Sequence, residues 1–112
     1  MKTADSICKM RRRENQKFIT ISILDLLNAV ENLPYILSER SRIESAKNYW
    51  LNYSKDNRYL CNRTGERSEF LYQTIEMPEV YYKEDGKLAI SDGNHRIVAF
   101  CELGYTEVIC EL

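Results

Sequence analysis

The stretch Pro78-Glu79-Val80-Tyr81-Tyr82-Lys83-Glu84-Asp85-Gly86-Lys87-Leu88-Ala89-Ile90-Ser91-Asp92-Gly93-Asn94-His95-Arg96-Ile97-Val98-Ala99-Phe100-Cys101-Glu102-Leu103-Gly104 decides how this chain is read. Residues 78–82 read as a strand, Glu84-Asp85-Gly86 as a hairpin turn, and 87–90 as the partner strand. The pattern then changes period. An apolar run through Ile97, Val98, Phe100 and Leu103 predicts a helix over 93–103, capped by Ser91 or Asp92 and stopped by Gly104. Glu107 to Glu111 follows as a closing strand, rich in β-branched residues.

Upstream, Phe18 to Ile23 predicts a first strand. Asp25 is placed to cap a short helix that runs to about Asn32, with Pro34 as its stop. A longer helix is expected from Ser38, because Ser41 and Glu44 have capping-box spacing and Ile43, Ala46, Tyr49, Trp50 and Tyr53 recur at helical intervals. That aromatic stripe reads as core packing rather than a cofactor box. Residues 52–68 read as a polar connecting loop in which Arg58, Arg63 and Arg67 stand among Tyr53 and Tyr59. A short helix or strand is expected near Phe70 to Ile75. Strands and helices in this order predict an α+β fold, a mixed sheet packed against helices.

Length and composition bound the rest. At 112 residues the chain suits one domain, 1–112, with residues 1–14 as a polar basic arm ending in Arg11-Arg12-Arg13. Hydrophobic residues make up 44% and charged residues 29%, the balance of an ordinary globular protein rather than a disordered one. No apolar run approaches the roughly 18 residues of a membrane span, and the N-terminus lacks a secretory pattern, so no membrane partner and a cytoplasmic location are expected. Cys8, Cys61, Cys101 and Cys110 are widely spaced and share the chain with a single histidine, which argues against a metal site. Their expected role is that of small buried hydrophobes. The charge is uneven: residues 1–20 carry six basic and two acidic side chains, residues 69–112 three and nine. A duplex-binding face would concentrate basic residues, yet the strongest motif lies in the acidic end.

That motif is Ser91-Asp92-Gly93-Asn94-His95-Arg96, where a strand turns directly into a helix. The first turn of a helix has backbone N–H groups with no intrahelical acceptor, and the helix dipole adds positive potential there. Gly93 would let an anion approach the backbone without meeting a Cβ. His95 and Arg96 would add side-chain donors, Arg96 gripping two phosphate oxygens at once. Asp92, Gly93, Asn94, His95 and Arg96 are therefore the candidate nucleotide- or phosphate-binding residues, with no catalytic residue assigned. The plainer alternative makes Asp92 an N-cap, His95 a satisfied surface group and Arg96 a partner of Glu102 or Glu84.

Residues 78–104 resemble the superfamily of the ParB N-terminal domain and sulfiredoxin, which has a strand, a turn, a second strand ending in D-G-x-x-R, a helix with Ala and Leu-Gly, and a closing strand. The resemblance covers about the last 35 residues. It implies that Gly93, Asn94, His95 and Arg96 contact the phosphates of a nucleoside triphosphate, ATP or CTP, with Mg²⁺. By the same resemblance Asn94 stands where a sulfiredoxin keeps its catalytic cysteine, so reduction of a sulfinic acid is not expected, an amide being no nucleophile. None of the 112 residues is expected to form the DNA-reading helix-turn-helix that follows this domain in ParB proteins.

The expected function is a stand-alone ParB-like domain that binds a nucleotide or other phosphate ligand, with hydrolysis or phosphotransfer left open. The acid or base that turnover would need is not singled out among Glu31, Glu39 and Glu44. The alternatives are a nucleic-acid-binding or nuclease protein using Arg11, Arg12 and Arg13, or a protein-interaction module of a mobile element.

Overall fold

The computed structural model of the chain describes residues 3–4, 17–55 and 77–112. In chain order these form β1 (Thr3–Ala4), β2 (Phe18–Ser22), α1 (Ile23–Ala29), α2 (Leu33–Ser38), α3 (Arg40–Lys55), β3 (Glu79–Tyr82), β4 (Leu88–Asp92), α4 (Asn94–Glu102) and β5 (Glu107–Glu111). The class is α+β with a mixed five-stranded sheet.

β5 organises that sheet. Along its whole length it pairs antiparallel with β2, Phe18 opposite Glu111 and Ser22 opposite Glu107. A strand has only two edges, so β1 and β3 must share the other one. β1 lies parallel to the start of β5 at Glu107 and Val108, and β3 lies parallel at its end, Glu79 opposite Glu111. β4 extends the sheet beyond β3 as the partner of an antiparallel hairpin. The hairpin turn is where the sequence puts it: Gly86 has φ +83°, its N–H donates to the Lys83 carbonyl, and the Lys87 N–H donates to Asp85 Oδ1. A turn closed by a left-handed glycine suits the strand twist. Val108 and Cys110 of β5 are buried while their neighbours are less so, the alternation of a sheet with one face in the core.

α4 fills the middle of that core. Ile97, Val98, Ala99 and Phe100 are four consecutive buried residues, and the helix packs on α1, α2 and α3. Its end forms a Schellman motif: Tyr105 N–H donates to the Phe100 carbonyl, Gly104 N–H to the Cys101 carbonyl, and Gly104 takes φ +89°. The reversal brings the Tyr105 ring back onto Phe100, centroids 5.7 Å apart and nearly perpendicular. Trp50 of α3 meets Phe100 edge-on at 4.9 Å and donates its Nε1–H to the Tyr105 hydroxyl at 2.8 Å. The indole is thus buried with its polar atom satisfied. At the helix surface Glu102 accepts from Arg40 and pairs with Lys47, and both cations also reach Glu44. The hydrogen bond from Arg40, then that from Lys47, holds the Glu102 carboxyl down to about 2.

Several boundaries differ from expectation for local reasons. The first strand ends at Ser22, and Ser22 rather than Asp25 caps α1, its Oγ accepting from the Asp25 N–H. α1 stops at Ala29, three residues short of Asn32. Pro34 does not end a helix. It sits in the first turn of α2, where a missing N–H breaks no bond, after Asn32 in the left-handed region. α3 starts at Arg40 after Glu39, whose carbonyl accepts from Arg42 and Ile43 N–H groups, so Ser41 lies inside the helix and no Ser41–Glu44 capping box forms. Ile43 and Trp50 are core, but Tyr49 is 40% exposed. α3 runs on through residues 52–55, which the sequence assigns to the loop. Thr3 and Ala4, expected in a solvated arm, belong to the sheet, with Ala4 fully buried. The basic run Arg11-Arg12-Arg13, the Arg and Tyr residues of 58–67 and the segment 70–75 lie outside the described residues.

Phe100→Ala is expected to lower the free energy of unfolding by about 3–5 kcal/mol, the usual result of emptying a buried aromatic site. Leu24→Ala, on a side chain 70% exposed, is expected to change it by less than about 0.5 kcal/mol. Urea denaturation of both variants measures the contrast.

Candidate functional site

The turn from β4 into α4 borders an open cleft of about 450 Å³. Ser91, Asp92, Gly93, Asn94, His95 and Arg96 line one wall, and Tyr35, Ile36, Glu39, Arg42 and Ala46 from α2 and α3 line the other. All five residues singled out in the sequence therefore border one space. The volume falls in the range of about 300–1,000 Å³ typical of small-molecule sites.

The first turn of α4 has no side-chain cap. Gly93 is the N-cap at φ +104°, ψ 20°, and the first bond of the helical ladder runs from the Ile97 N–H to the Gly93 carbonyl. The amides of residues 94–96 thus precede the ladder. Ser91, one of the two expected caps, instead sends its hydroxyl to the Glu79 carbonyl at 3.1 Å. The other, Asp92, is the last residue of β4 and pairs across the hairpin with Glu79.

Gly93 is needed for a reason the sequence does not show. A Cβ there would stand 2.9 Å from Pro78 Cα, and the backbone already holds a conformation that favours glycine. The glycine makes room for Pro78, which is itself fully buried, more directly than for a ligand.

His95 is held from across the cleft. Its Nε2 lies 3.0 Å from Glu39 Oε1, a partner 56 positions away in the chain, with the two side chains 16% and 23% exposed. A carboxylate accepts, so Nε2 carries the hydrogen and Nδ1 is the ring nitrogen not committed to Glu39. Arg42 Nη1 reaches the second oxygen, Oε2, at 3.4 Å. The His95 hydrogen bond first, and Arg42 after it, hold the Glu39 carboxyl below its ordinary range. Both Glu39 oxygens are therefore engaged by side chains.

Of the three carboxylates among which the sequence does not choose, Glu39 is the one in the cleft. Glu44 belongs to the Arg40–Lys47–Glu102 network, and Glu31 is exposed in the turn after α1. Arg42 was not anticipated either, and only its placement one turn along α3 from Glu39 brings it here. Arg96 does not take Glu102 from its partners Arg40 and Lys47. Asn94 has a buried Oδ1 that accepts no hydrogen bond among the described residues. An unsatisfied buried acceptor is uncommon in a folded protein.

Chemically, the cleft joins guanidinium groups from two helices, a carboxylate-oriented imidazole and an uncapped helix start. Among the described residues no group of three or more His, Cys, Asp or Glu side chains is arranged to hold a metal ion. Cys110 is buried, and burial pushes its thiol up to about 12, which makes it a packing residue rather than a nucleophile. No helix among the described residues is long and apolar enough to cross a membrane. Comparison with protein-family models, curated proteins and solved structures finds no match to this chain.

Two outcomes check this geometry. Gly93→Ala is expected to destabilise the fold by about 1–3 kcal/mol in denaturant titration, the scale of backbone strain outside the allowed regions. The Glu39 contact has a definite pH sign: a carboxyl lowered by folding contributes above its unfolded midpoint, and that contribution is lost as pH falls through the folded one. By carbon-13 NMR the Glu39 carboxyl should titrate below the ordinary glutamate range, and His95→Ala should move it upward, since His95 is the largest cause of the shift.

Proposed function

We propose that this chain is a phosphate-ligand-binding domain of ParB/sulfiredoxin type whose ligand is a nucleotide, taken up at the start of α4. The observation that carries the reading is that Gly93, Asn94, His95 and Arg96 border one cleft with Arg42, at a helix start without a side-chain cap. Helix amides and two guanidinium groups are donors that recognise phosphate oxygens, and the His95 ring adds a donor at Nδ1 when both of its nitrogens are protonated. The resemblance of residues 78–104 to that superfamily supports the same ligand class.

The acidic residues fit this reading when their partners are counted. Glu39 faces the cleft but its charge is met by His95 and Arg42, and Asp92 is the carboxylate nearest in sequence to the first turn. A Mg²⁺ accompanying the nucleotide would be held by Asp92 and the phosphates themselves, the usual economy of Mg²⁺ sites. Its contribution would be to neutralise phosphate charge. Should turnover follow binding, the Glu39–His95 pair is the arrangement expected of a general base, a carboxylate fixing the tautomer of an imidazole.

Calorimetric titration with ATP, CTP and GTP, with and without Mg²⁺, tests the proposal. Arg96→Ala should weaken binding by about 1–3 kcal/mol, the scale of a charge-assisted hydrogen bond. Absence of binding for all three nucleotides would count decisively against it.

A further inference from the structure

The wall of the cleft opposite the α4 turn carries an aromatic ring that the core does not use. Tyr35 lines the cleft and is 57% exposed, while its neighbour Ile36 is buried at 7%. The exposure does not come from a loose backbone. The Tyr35 N–H donates to the Asn32 carbonyl at 3.0 Å, and the Tyr35 carbonyl accepts from Ser38 Oγ at 2.6 Å. Both backbone groups of this residue are tied down within one short helix, and Pro34 just before it fixes φ at the helix start.

The lining is therefore of two kinds. Tyr35, Ile36 and Ala46 offer a ring and apolar surface, whereas Arg42, Arg96 and the start of α4 offer donors for an anion. A bare anion would use only the second kind. An exposed aromatic ring on a fixed backbone gains most from a flat ring laid on it, since stacking on Tyr is strong for every nucleobase and needs no particular hydrogen-bond pattern.

We infer that Tyr35 is the platform on which the ring of the ligand stacks, so that the cleft selects a phosphate ester bearing an aromatic base over inorganic polyphosphate. The inference rests on the anion site proposed above and adds the residue that sets its selectivity. Tyr35 is a specificity residue here. It contributes no proton and meets only the non-reacting part of the ligand.

The test compares ligands that share the anionic part and differ in the ring. The full chain is titrated with ATP and CTP, with tripolyphosphate, and with ribose 5-phosphate, for the wild type, Tyr35→Ala and Tyr35→Phe. The wild type should bind the nucleotides about 5- to 150-fold more tightly than tripolyphosphate, the gain of one stacked base. Tyr35→Ala should erase that preference and leave tripolyphosphate affinity unchanged, and Tyr35→Phe should restore it. At this exposed position Tyr35→Ala is expected to keep the fold, and its denaturation midpoint checks this. Nucleotide affinity that is equal in wild type and Tyr35→Ala overturns the platform while leaving the anion site standing. So does tripolyphosphate binding as tight as ATP binding. A wild-type chain that binds neither nucleotides nor tripolyphosphate overturns both.

Discussion

The structure depends on the seating of α4 in the core. Four consecutive residues of that helix, Ile97 to Phe100, are buried, which requires neighbours on several sides and explains why α1, α2 and α3 all pack on it. The Schellman turn at Gly104 then converts helix termination into packing: it returns Tyr105 onto Phe100, and Trp50 joins both. A helix gripped so completely at its C-terminal half has little freedom at its start. The first turn, where Gly93 opens the helix, is therefore held at a fixed distance from α2 and α3.

That rigidity gives the cleft its chemistry. Glu39 and His95 meet only because Glu39 lies at the junction of α2 and α3, facing the start of α4. Two residues of modest interest apart become an oriented carboxylate and imidazole together. The ionic group of Arg40, Glu44, Lys47 and Glu102 ties α3 to α4 about two turns further along α4. Exposed ion pairs of this sort add little stability. Their geometric effect is to fasten α3 alongside α4 next to the site.

The hairpin, α4 and β5 were legible as sequence because each carries a strong local signal: turn residues at Glu84-Asp85-Gly86, a change of hydrophobic period after Ser91, a glycine stop at Gly104. The five candidate residues were legible too, as a strand running straight into a helix. Less legible was the region from Asp25 to Glu44, where two short helices replaced the one expected. Pro34 and Ser41 each fit two positions, Pro as a stop or as a first-turn residue, Ser as a cap or as a helical residue. Local propensity does not separate those cases, and the packing of Ile36 and Ile43 does.

The sequence by itself determined the α+β class, the order of the last three strands and the helix between them, and the strand-to-helix turn with its histidine and arginine, while the missing side-chain cap came from the structure. These rest on interactions between residues close in the chain, which periodicity and turn chemistry report directly. Only the tertiary structure decided that Glu39 orients His95, that Arg42 and Tyr35 share the cleft, and that Gly93 yields space to Pro78. Each of these brings residues of the α4 turn against positions at least 15 residues away in the chain. Such contacts leave no local pattern, because they follow from how helices lie across one another and not from any residue's own preference.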